Sequence, residues 1–370
     1  MPSLATFNAN NFFLRYKFTE SYPGSQSASS LDEASKAAMG FLPGLAFGEY
    51  TGDYIVWDAA RRSLAARALK EPDGALPDIL CLQEVENIQA IRIFNKQYLG
   101  NHYPYSFLVD SYDTRNIDVG LLSRFPVDRV RSHIDALDDR GDRVFSRDCL
   151  ELEIMLPGNT RLTLFLNHLK SKLVTRETGE SDAAYQGRIL KSHQKRFSQA
   201  QHVADYVAKR FRGRHDRALY AVIGDFNDTP YSPWLAPLAN SPHLVDVLAK
   251  YRSADDRWTY YWRGGGKVSQ IDFVLASRAL NARIAATIAS DASRKPHIAR
   301  QGLGYRELNA SGAVLPRELT LVHFEDDSVT PAPASVPQNE KVGFRHSRYQ
   351  EVMDDWHSNI SDHCPVKVWF

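Results

Sequence analysis

The sequence predicts an α/β protein in which two mixed β-sheets pack face to face with helices on the outside. Three observations predict it. Short runs rich in Val, Ile, Leu and Phe outnumber the helical stretches. Hairpin turns are mixed with crossovers, unlike the strict strand–helix alternation of a doubly wound sheet or an eight-stranded barrel. Polar side chains recur where the apolar runs end, from residue 8 to residue 363, which asks for one catalytic unit built from both ends of the chain.

In chain order, LATFN (4–8) reads as a strand, and residues 18–56, rich in Gly, Ser and Tyr, as a long loop or inserted lobe. Leu64, Ala65, Ala68 and Leu69 recur at helical spacing between Trp57 and Leu69, before Pro72, Asp73 and Gly74 break the helix. DILCLQEV (78–85) is continuously apolar at its centre, as in a buried strand, and Asn87 caps a helix running to Leu99. Strands follow at 105–110, 118–124, 129–134, 149–156 and 161–169; alternation from Glu151 to Met155 predicts a half-exposed strand. A helix over 184–211 carries Ala200, Val203, Ala204, Val207 and Phe211 on one stripe. It lies in a stretch, 185–214, with eight Lys and Arg against the single acid Asp205. Strands return at 218–226, 258–262, 270–277 and 364–370, while 280–355 is long, polar and interrupted and contains a mobile loop at 330–340.

Composition excludes several classes. The chain has 370 residues, 43% hydrophobic and 24% charged, with a net charge of +1, so it is neither disordered nor fibrous nor a basic glove for nucleic acid. Cys81, Cys149 and Cys364 are few, odd in number and widely spaced, which predicts free thiols and a cytoplasmic protein. MPSLATFNANNFF shows no secretory pattern, and no apolar run reaches membrane-spanning length.

The candidate chemistry sits at strand ends: Asn8 after LATF, Gln83 and Glu84 after DILCL, Asn167 and His168 after RLTLFL, Asp225 and Asn227 around GDFN, Asp272 after QI, and Asp362 and His363 before CPVKV. Each alone is compatible with a solvated or structural role; the set in one order is what carries weight.

FNANN (7–11), LCLQEVEN (80–87), DVGLLSR (118–124), NHLKSK (167–172), GDFNDTP (224–230), IDFVLAS (271–277) and SDHCPV (361–366) resemble the endonuclease/exonuclease/phosphatase superfamily. That superfamily groups pancreatic-type deoxyribonucleases, apurinic endonucleases, neutral sphingomyelinases and inositol-polyphosphate 5-phosphatases. The wording is closest to its bacterial nuclease-type members. The resemblance implies a four-layer α/β sandwich and a single catalytic domain over 1–370, with long insertions at about 18–56 and 280–355.

It also implies roles. Phosphate-ester hydrolysis needs charge neutralisation, an oriented water and a stabilised leaving oxygen. Glu84 would hold Mg²⁺, for which Mn²⁺ substitutes, with Asn8 in support and Asp362 completing the site. Asp225 would orient or deprotonate the water, with Asn227 donating to phosphate or water. His363 would stabilise the transition state as imidazolium, oriented by Asp272, and His168 would contact phosphate or the leaving group. Asn116 departs from the Tyr or Arg that relatives place near the phosphate; either Arg115 substitutes or Asn116 donates one neutral hydrogen bond. Lys170 and Lys172 either contact phosphates or are ordinary solvated lysines. Arg188, Lys191 and Lys195 either guide a polyanion or form a solvated helix face.

The expected function is a metal-dependent nuclease acting on nucleic acid. The alternative is a phosphatase or phosphodiesterase for a lipid headgroup, inositol phosphate or other small phosphoester. Binding without turnover fits poorly with a full set of water-activating and charge-stabilising groups. No protein partner is implied. Substrate choice falls to the two insertions, where Tyr22, Tyr50, Tyr54 and Trp57, with Arg294, Lys295, Arg300 and Arg306, either meet a nucleic acid or pack the lobes.

Overall fold

A computed structural model describes residues 1–12, 59–262, 265–300, 311, 318–323, 339–343 and 360–370. The insertion expected at 18–56 and the loop at 330–338 lie outside the described residues. The chain runs β1 (Ser3–Phe12), α1 (Ala59–Ala68), β2 (Ile79–Val85), α2 (Ile88–Tyr98), β3 (Tyr105–Leu108), β4 (Asp118–Ser123) and β5 (Val127–Arg131). It continues with β6 (Leu150–Leu156), β7 (Thr160–His168), α3 (Asp182–Arg210), β8 (Leu219–Asp225), β9 (Leu244–Asp246), β10 (Tyr260–Trp262) and β11 (Lys267–Ser269). It closes with β12 (Asp272–Ser277), α4 (Arg278–Ser290), β13 (His297–Ile298), β14 (Glu318–Val322), β15 (Asn339–Gly343) and β16 (Val366–Trp369).

Two six-stranded mixed sheets form, in the orders β13-β16-β1-β2-β4-β3 and β5-β6-β7-β8-β12-β9. Their facing sides alternate with period two. Leu4, Ile79, Cys81, Val119 and Leu121 from one sheet share a buried cluster with Leu162, Leu164, Leu166, Ala221, Ile223, Val274 and Ala276 from the other. The outer face of the first sheet, including Phe7, Leu80 and Leu82, packs on Ala65 and Leu69 at α1 and on Ile91 and Phe94 of α2. The outer face of the second, including Phe165, Val222 and Phe273, packs on Ala200, Val203 and Val207 of α3. The result is the four-layer α/β sandwich. Each fully buried aliphatic side chain contributes about 1.5–3 kcal/mol, so the three apolar layers dominate stability.

Local signals explain the helices. Asn87 accepts from the Ala90 amide and caps α2; Ser181 does the same for α3 through Ala184. All three cysteines are free and buried. No helix among the described residues is long and apolar enough to cross a membrane.

Three expectations need correction. The β6 carboxylates Glu151 and Glu153 are buried, because Arg210 of α3 reaches over them at 3.1 and 2.6 Å. The polar stretch from 280 begins as helix: α4 buries Leu280, Ile284 and Thr287, and β13 then joins the first sheet. A third sheet, β10-β11-β14-β15, was not foreseen. Arg294 and Arg300 are absorbed structurally, Arg294 by Asp73 and Arg300 by Asp256 at 2.8 Å and the Trp258 ring at 3.9 Å.

Candidate active site

Strand register assembles the site. In β7, His168 pairs with Asp225 of β8, and Asp225 pairs in turn with Asp272 of β12. The three stand abreast and continue the inward-facing series of Leu166, Ile223 and Val274. In the other sheet Asn8 of β1 pairs with Gln83 of β2, again in the inward series. The layer between the sheets thus passes from aliphatic to polar at one rim. Thr6 bridges the transition by donating to Gln83 at 3.1 Å.

Close backbone approach is essential beside Asp225. Gly224 has φ +131°, and a Cβ there would lie 2.0 Å from the Asn167 carbonyl oxygen. Non-glycine residues with positive φ also gather at this rim: Glu84 (57°), Asn116 (55°) and Asn227 (55°). Such conformations cost on the order of 1–3 kcal/mol each. At Glu84 the left-handed residue is a bulge, since β2 shifts register against β4 between Gln83 and Val85. It turns Glu84 away from the outer face that Leu80 and Leu82 occupy and toward His168. The Asn11 amide steadies it by donating to Glu84 Oε2 at 3.0 Å.

The Asp225 carboxylate is fully buried and held on both oxygens. Oδ1 accepts from the Asn227 amide at 2.8 Å; Oδ2 accepts from Asn8 Nδ2 at 2.9 Å and Asn227 Nδ2 at 3.1 Å. Burial pushes its pKa up to about 7, against the pull of His363 and with a further push from Asp272. His363 Nδ1 binds Asp272 at 2.9 Å, and Thr259 donates to the same Asp272 oxygen at 2.7 Å. His363 Nε2 faces Asp225 Oδ2 at 3.8 Å and Asp362 Oδ1 at 3.9 Å. Burial alone would lower the His363 pKa, but Asp272 and Asp225 override it and raise it well above the ordinary value. Ser361 sets the loop by accepting from the His363 amide at 2.9 Å and donating to the Asn8 carbonyl at 2.7 Å.

His168 is the opposite case. Burial, then Arg147 and Arg115, lower its pKa well below the ordinary value, so its contacts with Asp225 (3.4 Å) and Glu84 (3.7 Å) are those of a neutral imidazole. Its Nδ1 has no hydrogen-bond partner among the described residues.

Asp225, Asp272 and Asp362 surround the cationic imidazole of His363, and Glu84 lies against the neutral one of His168. Asp362 too is raised, by burial against His363 and with Glu84 and Asp272 adding to the rise. Ligand atoms of Asp225, Asp272 and His363 lie within 4.8 Å of one another. An oxygen-rich cluster with excess negative charge fits a hard divalent cation. Within it, Asp272 is occupied by His363 and Thr259; Glu84, 3.7 Å from His168, and Asp362, 3.9 Å from His363, are further carboxylates at the same rim that could hold one. Asn8 differs from expectation: its amide nitrogen faces the cluster, while its Oδ1 accepts from the Asn10 amide at 2.9 Å. It therefore orients Asp225. Asn227 likewise spends its side-chain amide on Asp225 and on the Leu169 carbonyl at 3.1 Å.

The remaining expected residues divide. Arg115 and Asn116 are exposed on the loop before β4, with Arg115 3.3 Å from Asp113. Lys170 is half-buried nearby, its pKa lowered by burial and then by Arg147 and Arg115. Lys172 is not available to a substrate phosphate in the expected way, because it binds buried Asp228 at 2.7 Å.

The sequence places Arg196 and Gln199 on the helix after NHLKSK, but it does not show that they, with Arg147 and Ser192, hold the segment after β7. Buried Arg147 donates to the carbonyls of His168 (3.1 Å) and Leu169 (2.5 Å) and pairs with Asp113 at 3.0 Å. Buried Arg196 donates to the Lys170 carbonyl at 2.8 Å and binds Asp228 at 2.7 Å. Gln199 accepts from the Lys170 amide at 2.8 Å, and Ser192 donates to the Ser171 carbonyl at 2.7 Å. Ser192, Arg196 and Gln199 are spaced by four and three residues on α3, and that polar stripe within an otherwise apolar face was the available signal.

The sequence profile of the Endonuclease/Exonuclease/phosphatase family matches residues 5–363. No curated protein matches the sequence. Among solved structures, the chain is similar to Bacteroides thetaiotaomicron mannosyl-6-phosphatase, at TM-score 0.50 and 14% identity, covering 100% of this chain and 99% of that one. It is similar to another endonuclease/exonuclease/phosphatase family protein of that organism, at TM-score 0.49 and 14% identity, covering 99% and 96%. Truncated TDP2 of Caenorhabditis elegans aligns at TM-score 0.47 and 15% identity, covering 83% and 88%.

Proposed function

The chain belongs to the endonuclease/exonuclease/phosphatase family of metal-dependent phosphoester hydrolases, and from that premise we propose that it is a nuclease cleaving phosphodiester bonds of nucleic acid. The observation that carries the chemistry is the buried Asp225 carboxylate, fixed on both oxygens beside a cationic His363 held by Asp272. Asp225 accepts the proton of the attacking water, with a pKa near neutrality suited to general-base work. Asn8 and Asn227 aim it. His363 presents Nε2–H to a phosphoryl oxygen as negative charge develops, and Asp272 keeps its proton on. His168, neutral, donates from Nε2 at the same rim. Glu84 and Asp362 would hold Mg²⁺ or Mn²⁺, which would supply Lewis-acid neutralisation of the phosphoryl and leaving oxygens.

The preference for nucleic acid rests on the cations beside this rim, Arg115 and Lys170, which suit a substrate with more than one phosphate. The free, buried thiols fit a cytoplasmic enzyme, and contributions from both chain ends fit one catalytic domain. The test is a panel with purified protein and Mg²⁺ or Mn²⁺: plasmid, single- and double-stranded oligonucleotides, RNA, bis-p-nitrophenyl phosphate, sphingomyelin and inositol phosphates. Nucleic-acid cleavage that EDTA abolishes is expected. Hydrolysis confined to a lipid or inositol phosphate would overturn the nuclease reading and leave the small-phosphoester alternative.

A further inference from the structure

Beside the reaction centre lies a cleft of about 570 Å³ between the segment after β7 and the first half of α3. Five lining side chains are cationic: Lys170, Arg176, Arg188, Lys191 and Lys195. Three are already engaged. Arg176 pairs with Asp182, Arg188 with Glu180 at 2.6 Å, and Lys195 donates to the Arg143 carbonyl. Lys170 and Lys191 pair with no carboxylate among the described residues. Lys170, two residues beyond His168, lies on the wall that follows β7, and exposed Lys191 lies on the α3 wall.

The wall is rigid for a loop, since Gln199, Arg196 and Ser192 hold the backbone of residues 170 and 171. Leu173, 79% exposed, supplies an apolar surface between the cations. Unspent positive charge along a groove is what a phosphate backbone meets. The volume is that of a drug-sized ligand, enough for a nucleotide or two.

We propose that this cleft binds a non-scissile phosphate flanking the cleavage position on a nucleic-acid strand, with Lys170 and Lys191 as its cations. The proposal rests on the nuclease reading and narrows it. Its test uses the full chain in EDTA, with a fluorescent single-stranded oligonucleotide as probe and a salt titration of binding. Lys191→Glu should weaken binding about tenfold. Lys191→Ala should reduce the salt slope by roughly one. In Mg²⁺, both variants should hydrolyse bis-p-nitrophenyl phosphate at the wild-type rate, because that diester has no flanking phosphate. Unchanged affinity and salt slope in Lys191→Glu, with that hydrolysis intact, would overturn the cleft and spare the nuclease reading. Competition by an inositol polyphosphate in wild type, with no binding of the strand itself, would overturn the strand as the occupant. Failure to cleave any nucleic acid would instead sink the nuclease reading.

Discussion

Asp225 and Asp228 stand three residues apart and are both buried, yet their environments push them in opposite directions. Burial raises both. At Asp228 the guanidinium of Arg196 and the ammonium of Lys172 reverse that rise and hold the carboxyl well below the usual range. At Asp225 the neighbours are a second carboxylate and one imidazolium, and the pKa is up at about 7. Depth does not separate a structural aspartate from a reactive one; the balance of charge around it does. Asp228 ends in matched ion pairs and fixes a loop. Asp225 is ringed by neutral amide donors and remains able to take a proton.

The largest expected effect divides the two by measurement. Asp225→Asn should lower kcat about 10²–10⁴-fold without loss of stability. Asp228→Asn should strand Arg196 and Lys172 and cost about 3–5 kcal/mol in denaturant unfolding. A rate loss from Asp228→Asn on a fully stable protein would erase the contrast. Next, His363→Ala should cost about 10²–10³ in kcat with folding retained, as removal of a transition-state donor does; a native rate would remove His363 from the reaction.

The pH dependence of the metal-free protein sharpens the comparison. Asp225 is raised, so its ionised form opposes folding above about pH 7, and that penalty lifts as pH falls toward the ordinary carboxylate range. The stability gap between wild type and Asp225→Asn should therefore narrow on acidification from about pH 8 to about pH 5. Asp228 is lowered, so its contribution is complete above the unfolded value of about 4 and is lost as pH falls through the folded one. The gap for Asp228→Asn should hold at neutral pH and close only in acid. Parallel behaviour of the two gaps would contradict the charge-balance account. The smallest effect belongs to the clamp on the loop: Ser192→Ala should cost about 1 kcal/mol, read from the denaturation midpoint.

Much of this was legible before the structure. Many apolar strands, few helices and hairpins mixed with crossovers indicated two packed sheets, and chemistry at strand ends marked one rim. What could not be read was register. Whether His168, Asp225 and Asp272 stand abreast depends on pairings between strands distant in the chain. The ion pairs of Asp228 could not be read because its partners, Lys172 and Arg196, arrive from other elements. Arg147 was invisible because it binds backbone carbonyls, which any sequence supplies. The alternation in β6 suggested a wet face because nothing in 149–156 reports that Arg210 would cover it. The onset of α4 was hidden by the polarity of the longer stretch, although Leu280 and Ile284 already stood one helical turn apart.

β1 lies between β2 and β16, and Ser3 pairs with Trp369. Asn8 and His363 meet across that central seam, 355 positions apart in sequence. During synthesis the first strand must therefore wait, its neighbour on one side missing, until β16 has left the ribosome. A nascent chain can already carry Asn8, Glu84 and Asp225 and still lack the histidine that faces them, so the rim closes only when the two distant ends of this sheet meet.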